Sequence, residues 1–396
     1  MPHACHSEPF ASLRVNAARN LRGSRTTPRA ARGDHAGWSQ VIGITREKPM
    51  TPSILLQEIA EQPAALRRLI DAESRHIISL AHTLNARGHQ YVVIAARGSS
   101  DNAARYAQYL MGATLGLPVA LATPSLHTRY GAHLRFDGAL VIGISQSGAS
   151  PDICTVIDDA RRAGAPTVAI TNNPESPLAE AAEFTIPLHA GVERSIAATK
   201  TYTTQLAALA LLTLSMANDH AGLATLATIP DAMEAALTLD SWMHGIAGDM
   251  AGATAAVTIG RGYHYATAWE IALKLKELTY IAAEPYSAAD FQHGPIALVR
   301  EDFPVILIAT RGAVADDLTT LTIRLHDLGA HLTAISDVSA ILETANRPAR
   351  LPISVEERFA PITTIIAGQL LVFHLARARG LDPDNPRGLR KVTETR

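Results

Sequence analysis

Ala139-Leu140-Val141-Ile142-Gly143-Ile144-Ser145-Gln146-Ser147-Gly148-Ala149-Ser150-Pro151-Asp152 reads as three things in succession: a buried strand, a turn of small polar residues and the start of a helix. The apolar run has no polar alternation, as expected of a strand covered on both faces. Ser150 is a natural N-cap and Pro151 suits the first helical position. Gly148 lets the backbone approach a neighbour or a ligand closely.

The same grammar recurs on either side. Upstream, Tyr91-Val92-Val93-Ile94-Ala95 runs into Arg97-Gly98-Ser99-Ser100 and then a helical stretch from Asp101 to Leu110. Downstream, Thr167-Val168-Ala169-Ile170 runs into Thr171-Asn172-Asn173. Strands alternating with helices predict a parallel sheet with helices on both faces. From Ser53 to Arg87, apolar residues recur at helical spacing, with Pro63 opening a second segment.

The pattern then starts again. Ala255-Ala256-Val257-Thr258-Ile259 leads into Gly260-Arg261-Gly262 and a helix through Lys276, and Pro304-Val305-Ile306-Leu307-Ile308 leads into Ala309-Thr310-Arg311-Gly312. Ile94-Ala95-Ala96-Arg97-Gly98 set beside Thr258-Ile259-Gly260-Arg261-Gly262 points to an internal duplication. The predicted fold is α/β, with two tandem domains, each a parallel sheet flanked by helices. The predicted boundaries are 50–217 and 245–380, with a helical linker at 218–244 and a tail at 381–396. Residues 1–49 carry seven arginines, six of them from Arg14 to Arg32 among Ala, Gly, Ser and Thr, and show no apolar periodicity. They read as a disordered leader or a wrongly assigned start, with Met50 a plausible beginning; a transit peptide is the alternative.

Composition narrows the function. The chain has 396 residues, 47% apolar and 18% charged, and a net charge of −2, which supplies material for two cores and no electropositive footprint for nucleic acid. The two cysteines, Cys5 and Cys154, lie far apart without a CxxC, so neither a disulfide framework nor a metal site is expected. The apolar run around Leu206–Ala217 falls short of the ~20 residues of a membrane span and reads as a buried helix. These features predict a cytoplasmic protein acting on small molecules, without membrane partners.

Ligands of open α/β sheets sit beyond the carboxyl ends of the strands, at helix N-termini. Ser145, Gln146, Ser147 and Ser150 could surround a phosphate there with hydroxyls and N–H groups, or could simply make a turn and cap a helix. Ser99 and Ser100 end the preceding strand in the same half, so the two turns can converge on one ligand. Neither turn is a GxGxxG or a GxxxxGK[ST]. The counterpart in the second copy, Thr310-Arg311-Gly312-Ala313, lacks the three serines, so an anion site is expected in the first copy only.

On the helix from Trp269 to Tyr280, Glu270, Lys274 and Glu277 share one stripe. That spacing builds a solvated ion-pair ladder, or places Glu277 at a cleft with Lys274 beside it. His293, in Asp290-Phe291-Gln292-His293-Gly294-Pro295, falls in a loop, where a histidine is more often functional than in a core. The stretch Asp382–Lys391 has no periodicity and alone reads as a tail.

Taken together, Gly98-Ser99-Ser100, Ser145-Gln146-Ser147-Gly148, Ala197-Ala198-Thr199-Lys200, Glu270 to Glu277, His293-Gly294-Pro295 and Asn385 to Lys391 resemble, in order, the motifs of the double sugar-isomerase (SIS) domain family. The similarity is to the isomerase portion of glucosamine-6-phosphate synthase and its relatives. It implies that Ser145, Gln146, Ser147 and Ser150 hold a sugar 6-phosphate, with Ser99 and Ser100 near the sugar. It implies that Glu277 moves a proton between C1 and C2, that His293 assists ring opening from a neighbouring subunit, and that Lys391 engages the open-chain carbonyl. A homodimer without cofactor or metal follows from the same resemblance.

The synthases begin with a glutaminase domain, whereas only 49 unpatterned residues precede the isomerase region here, so glutamine is not the expected ammonia donor. Arg97–Asp101, Ser147–Asp152 and Gly380–Asp384 resemble the stand-alone type II deaminases more closely. The expected reaction is therefore hydrolytic deamination of glucosamine 6-phosphate to fructose 6-phosphate and ammonia. An aldose–ketose phosphate isomerase, an ammonia-dependent synthase and a sugar-phosphate-sensing regulator are the alternatives.

Overall fold

A computed structural model describes residues 53–391. The expectations for residues 1–49, Cys5 included, and for the last five residues of the tail lie outside the described residues.

The first half runs α1 (Ile54–Ala60), α2 (Gln62–Arg87), β1 (Tyr91–Ala95), α3 (Ser99–Leu115), β2 (Val119–Leu121), α4 (Ser125–Thr128) and β3 (Ala139–Ser145). It continues with α5 (Pro151–Arg162), β4 (Thr167–Thr171), α6 (Pro177–Ala181), β5 (Phe184–Pro187) and α7 (Lys200–Ala217). Three helices follow, α8 (His220–Leu226), α9 (Ile229–Leu237) and α10 (Asp240–Met250). The second half begins with β6 (Ala255–Gly260), α11 (His264–Thr279), β7 (Ala282–Ser287), α12 (Ala288–Gln292) and β8 (Pro304–Ala309). It closes with α13 (Ala315–Asp327), β9 (His331–Ser336), α14 (Ser339–Thr344), β10 (Arg347–Arg350) and α15 (Ala360–Ala378).

The strands form two five-stranded sheets, ordered β2-β1-β3-β4-β5 and β10-β9-β8-β6-β7, and all eight strand pairings are parallel. Read from the other edge, the second order is β7-β6-β8-β9-β10, which repeats the first strand for strand. The duplication seen in sequence is thus a duplication of topology. In each copy the chain order reverses beside the first strand, at β1/β3 and at β6/β8, and a crevice opens beyond the carboxyl ends of strands at such a switch point.

Both halves contribute to one large apolar core. Leu66, Tyr106, Leu206 and Leu212 from the first half pack in the same cluster as Ile271, Leu275, Ile365 and Leu370 from the second. The helical connection α8–α10 adds Leu226, Ile229, Met233, Met243 and Ile246 to it. At about 25 cal/mol per Å² of apolar surface, this shared burial ties the halves together. α15 is long and apolar enough to cross a membrane, but 94% of that stretch is buried inside the fold, as expected of a helix packed against α10 and α11.

Candidate functional site

Two loops flank the first switch point. After β1, Gly98 takes a conformation (φ 55°, ψ −130°) that only glycine adopts without strain. α3 starts directly behind it, so Ser99 and Ser100 form the first turn of the helix rather than part of the preceding turn. After β3, Gly148 has φ 64°, and a Cβ there would fall 2.0 Å from Ser176 Oγ. Ser145 Oγ accepts from Gly148 N at 3.1 Å and Ser147 Oγ accepts from Ala149 N at 3.3 Å, which holds the loop in a tight curl. Ser150 is the extended N-cap residue of α5, and its hydroxyl makes no capping bond. Behind the curl, Arg97 donates to the buried Asp152 at 3.0 Å and so joins the two loops.

The facing wall comes from α11, in the second half of the chain. Glu270, fully buried, accepts from Ser99 Oγ at 2.9 Å and from Asn102 Nδ2 at 2.7 Å. Lys274 donates to Ser99 Oγ at 3.0 Å and to Glu277 at 2.7 Å, and lies 3.3 Å from Glu270. The solvated-ladder alternative is therefore ruled out, since only Glu277, with its side chain 23% exposed, reaches open space. Burial pushes the Glu270 carboxyl up, partly offset by Lys274 and Asn102. Burial alone would lower Lys274, but the two carboxylates outweigh it and hold the lysine above its ordinary range, as an ammonium.

The third wall is the tail. Asp384 accepts from Ser53 Oγ at 3.0 Å and from the N–H groups of Ile54 and Leu55 at 3.1 and 2.8 Å, capping α1. Arg387 N donates to Tyr280 Oη at 2.8 Å, with the guanidinium 4.1 Å above the Tyr280 ring. Further on, Lys391 donates to Glu193 Oε2 and to Ser195 O, both at 2.7 Å. The two serine-bearing loops, α11, the 193–198 segment and the tail enclose a cleft of about 310 Å³, large enough for a hexose phosphate.

Residues 84–215 and 249–378 each match the SIS domain. The chain belongs to the SIS domain family. An isomerizing glutamine–fructose-6-phosphate aminotransferase of Thermococcus kodakarensis is 34% identical over 360 residues, covering 87% of this chain and 58% of that protein. The chain thus spans a little over half the length of the aminotransferase it matches. Among solved structures, the C-terminal domain of glucosamine-fructose-6-phosphate aminotransferase from Francisella tularensis superposes with a TM-score of 0.77 at 29% identity, covering 86% of this chain and all of that one. A Silicibacter pomeroyi protein provisionally described as a phosphosugar isomerase superposes with a TM-score of 0.76 at 36% identity, over 84% of this chain and all of that one.

Eight of the nine site residues expected from sequence line the cleft of this SIS protein: Ser99, Ser100, Ser145, Gln146, Ser147, Ser150, Glu277 and Lys391. His293 does not. It caps the end of α12, exposed, outside the cleft of its own chain. Sequence reasoning missed Glu193, whose side chain is fully buried. It lies four residues before Ala197, outside the motif singled out in sequence, and no local pattern marks it.

The second SIS domain shows what the first retains. Strand pairing sets Ala95 beside Gly143 and Ile259 beside Leu307. Counting onward in each copy, Ser99 and Ser100 correspond to Tyr263 and His264, and Ser145, Ser147 and Ser150 to Ala309, Arg311 and Val314. In the second copy's loop, Arg311 N donates to Asp337 and Ala313 N to Glu357, each at 2.8 Å. The protein's own carboxylates take the N–H groups that an anion would use.

Proposed function

We propose that this chain moves a proton between C1 and C2 of a hexose 6-phosphate, with glucosamine 6-phosphate on one side and fructose 6-phosphate plus ammonia on the other. The observation that carries this reading is the position of Glu277. It is a carboxylate from one SIS domain at the open edge of a cleft whose other wall is the serine curl of the other domain.

The curl and the N-terminus of α5 would grip the phosphate. Held there, the open-chain sugar presents C1 and C2 toward α11. Glu277 takes the C2 proton of the amino aldehyde and returns it to C1, converting the C2 amine to an imine; water adds to that carbon and ammonia leaves. Lys274 steadies the carboxylate, and Lys391 offers an N–H to the carbonyl oxygen. Exposed His293 would complete the ring-opening machinery from a second copy of the chain, which makes a homodimer the proposed assembly.

A catalyst accelerates both directions of one equilibrium, so deamination and ammonia-dependent amination need the same residues. The sequence motifs suggest deamination. The Thermococcus and Francisella relatives, aminotransferases by name, favour the second reading, amination of fructose 6-phosphate or plain aldose–ketose isomerisation. The deciding experiment incubates the purified chain with glucosamine 6-phosphate, galactosamine 6-phosphate, or fructose 6-phosphate plus ammonium, and follows ammonia and ketose phosphate. Ammonia release from glucosamine 6-phosphate supports the deaminase; ketose–aldose exchange without ammonia release supports the isomerase; inertness toward all three refutes the proposal.

A further inference from the structure

Glu193 poses a problem of charge. Its side chain has no exposed surface, and an unpaired carboxylate in such a place is severely destabilising. Oε1 accepts from the N–H groups of Thr199 and Thr201, at 3.0 and 3.1 Å, at the start of α7. Oε2 accepts from Thr201 Oγ1 at 2.8 Å and from Lys391 Nζ at 2.7 Å. Lys200 is far closer in sequence, yet its ammonium is committed elsewhere, to Glu61 and, at 3.8 Å, to Glu58. Among the described residues, the cation that answers Glu193 arrives from 198 positions away, on the tail.

The surrounding segment has anchors of its own, independent of the tail. Glu58 accepts from Arg194 N at 2.6 Å and Ser195 N at 3.1 Å, while Glu193 holds Thr199 and Thr201. The Ser195 carbonyl and Glu193 Oε2 therefore stand as a prepared pair of acceptors. A lysine ammonium has three donors; two go to this pair and the third remains for an oxygen in the cleft that Lys391 lines.

We propose that Glu193 is the positioning residue for Lys391: with the Ser195 carbonyl it seats the ammonium at the cleft and so draws residues 388–391 across the cleft's mouth. The contribution of Lys391 to turnover rests on the function proposed above, but the seating itself does not.

The test is Glu193→Gln. A glutamine can keep Oε1 on Thr199 and Thr201 and turn its NH2 toward Thr201 Oγ1, so the start of α7 keeps its acceptor while Lys391 loses its anion. In the substrate-free protein, acetylation of Lys391 by an activated acetate ester, read by mass spectrometry, is expected to rise by about tenfold or more, the factor that follows from losing a charge-assisted hydrogen bond. Amide exchange in the first turn of α7 is expected to stay as in the parent. An unchanged acetylation rate, or faster exchange in α7 alongside it, overturns the proposal. Should Glu193→Gln fail to fold, Lys391→Met serves instead: amides 388–391 are expected to exchange about tenfold faster, and parental exchange overturns the proposal. If turnover is measurable, the kcat loss in Glu193→Gln should vanish in a Lys391→Met background. An inert parent chain with acetylation behaving as expected would refute the proposed reaction and leave the seating intact.

Discussion

Ser99 Oγ donates to Glu270 Oε1 at 2.9 Å across 171 residues of sequence, and the same hydroxyl accepts from Lys274 at 3.0 Å. One serine of the first SIS domain is therefore built into the buried charge network of the second. The helix dipole of α3 begins at this serine, so its N-terminal partial charge faces the Glu270 carboxylate. The cleft is assembled by the packing of the two domains and not by either alone.

Glu277→Gln removes the proposed base while leaving a neutral side chain of the same shape. Turnover is expected to fall by about 10²–10⁴-fold, with KM changed little. Steady-state kinetics on glucosamine 6-phosphate or fructose 6-phosphate checks this, and a variant with parental kcat would exclude Glu277 as the base.

Ser147→Ala takes one hydroxyl from the curl without touching α11. Binding of the phosphorylated sugar, or of inorganic phosphate, is expected to weaken about ten- to a hundredfold, the value of one hydrogen bond to a charged group. Calorimetric titration measures it, and a loss of similar size for the unphosphorylated sugar would place the phosphate elsewhere.

Lys274→Met strands Glu270 in the core without its ammonium. A stability loss of about 3–5 kcal/mol is expected in urea unfolding, partly recovered by adding Glu270→Gln, which needs no counter-charge. Absence of that recovery would mean the lysine stabilises by packing alone.

His264 stands where the first copy has Ser100, completely buried, with Nε2 2.8 Å from Thr310 Oγ1. Burial lowers its pKa to about 3. The unfolded chain takes up a proton at this residue below about pH 6.5 while the folded chain stays neutral. Its contribution is thus fully present above pH ~6.5 and declines by at most ~1.4 kcal/mol per pH unit as pH falls toward about 3. Urea unfolding across that range should show a shallower acid limb in His264→Asn than in the parent; identical slopes would mean that His264 protonates in the native state.

Five strands were legible from β-branched runs, and these include both switch-point pairs, β1 with β3 and β6 with β8. Four of the other five, β2, β5, β7 and β10, are sheet edges, where one side needs no partner; β2 has only three residues, and charges and proline break up β7 and β10. The Arg347-Pro348-Ala349-Arg350 strand is an example. The serine loops and α11 were legible because each stands at the end of such a strand or carries helical spacing. Glu193 was not, since nothing local marks a carboxylate whose partner is a lysine at the far end of the chain. His293 shows the opposite limit: its motif was readable, but one chain places it outside its own cleft.

The common core of the two halves has a consequence for dividing the molecule. A cut between the sheets would leave one fragment with the serine curl and no facing carboxylate, and the other with Glu277 and no curl opposite it. Each would also turn half of an apolar helix stack toward water. The pair is the smallest part that keeps the cleft whole, and the seam that a domain diagram would draw through residue 244 passes through the middle of the α10 helix.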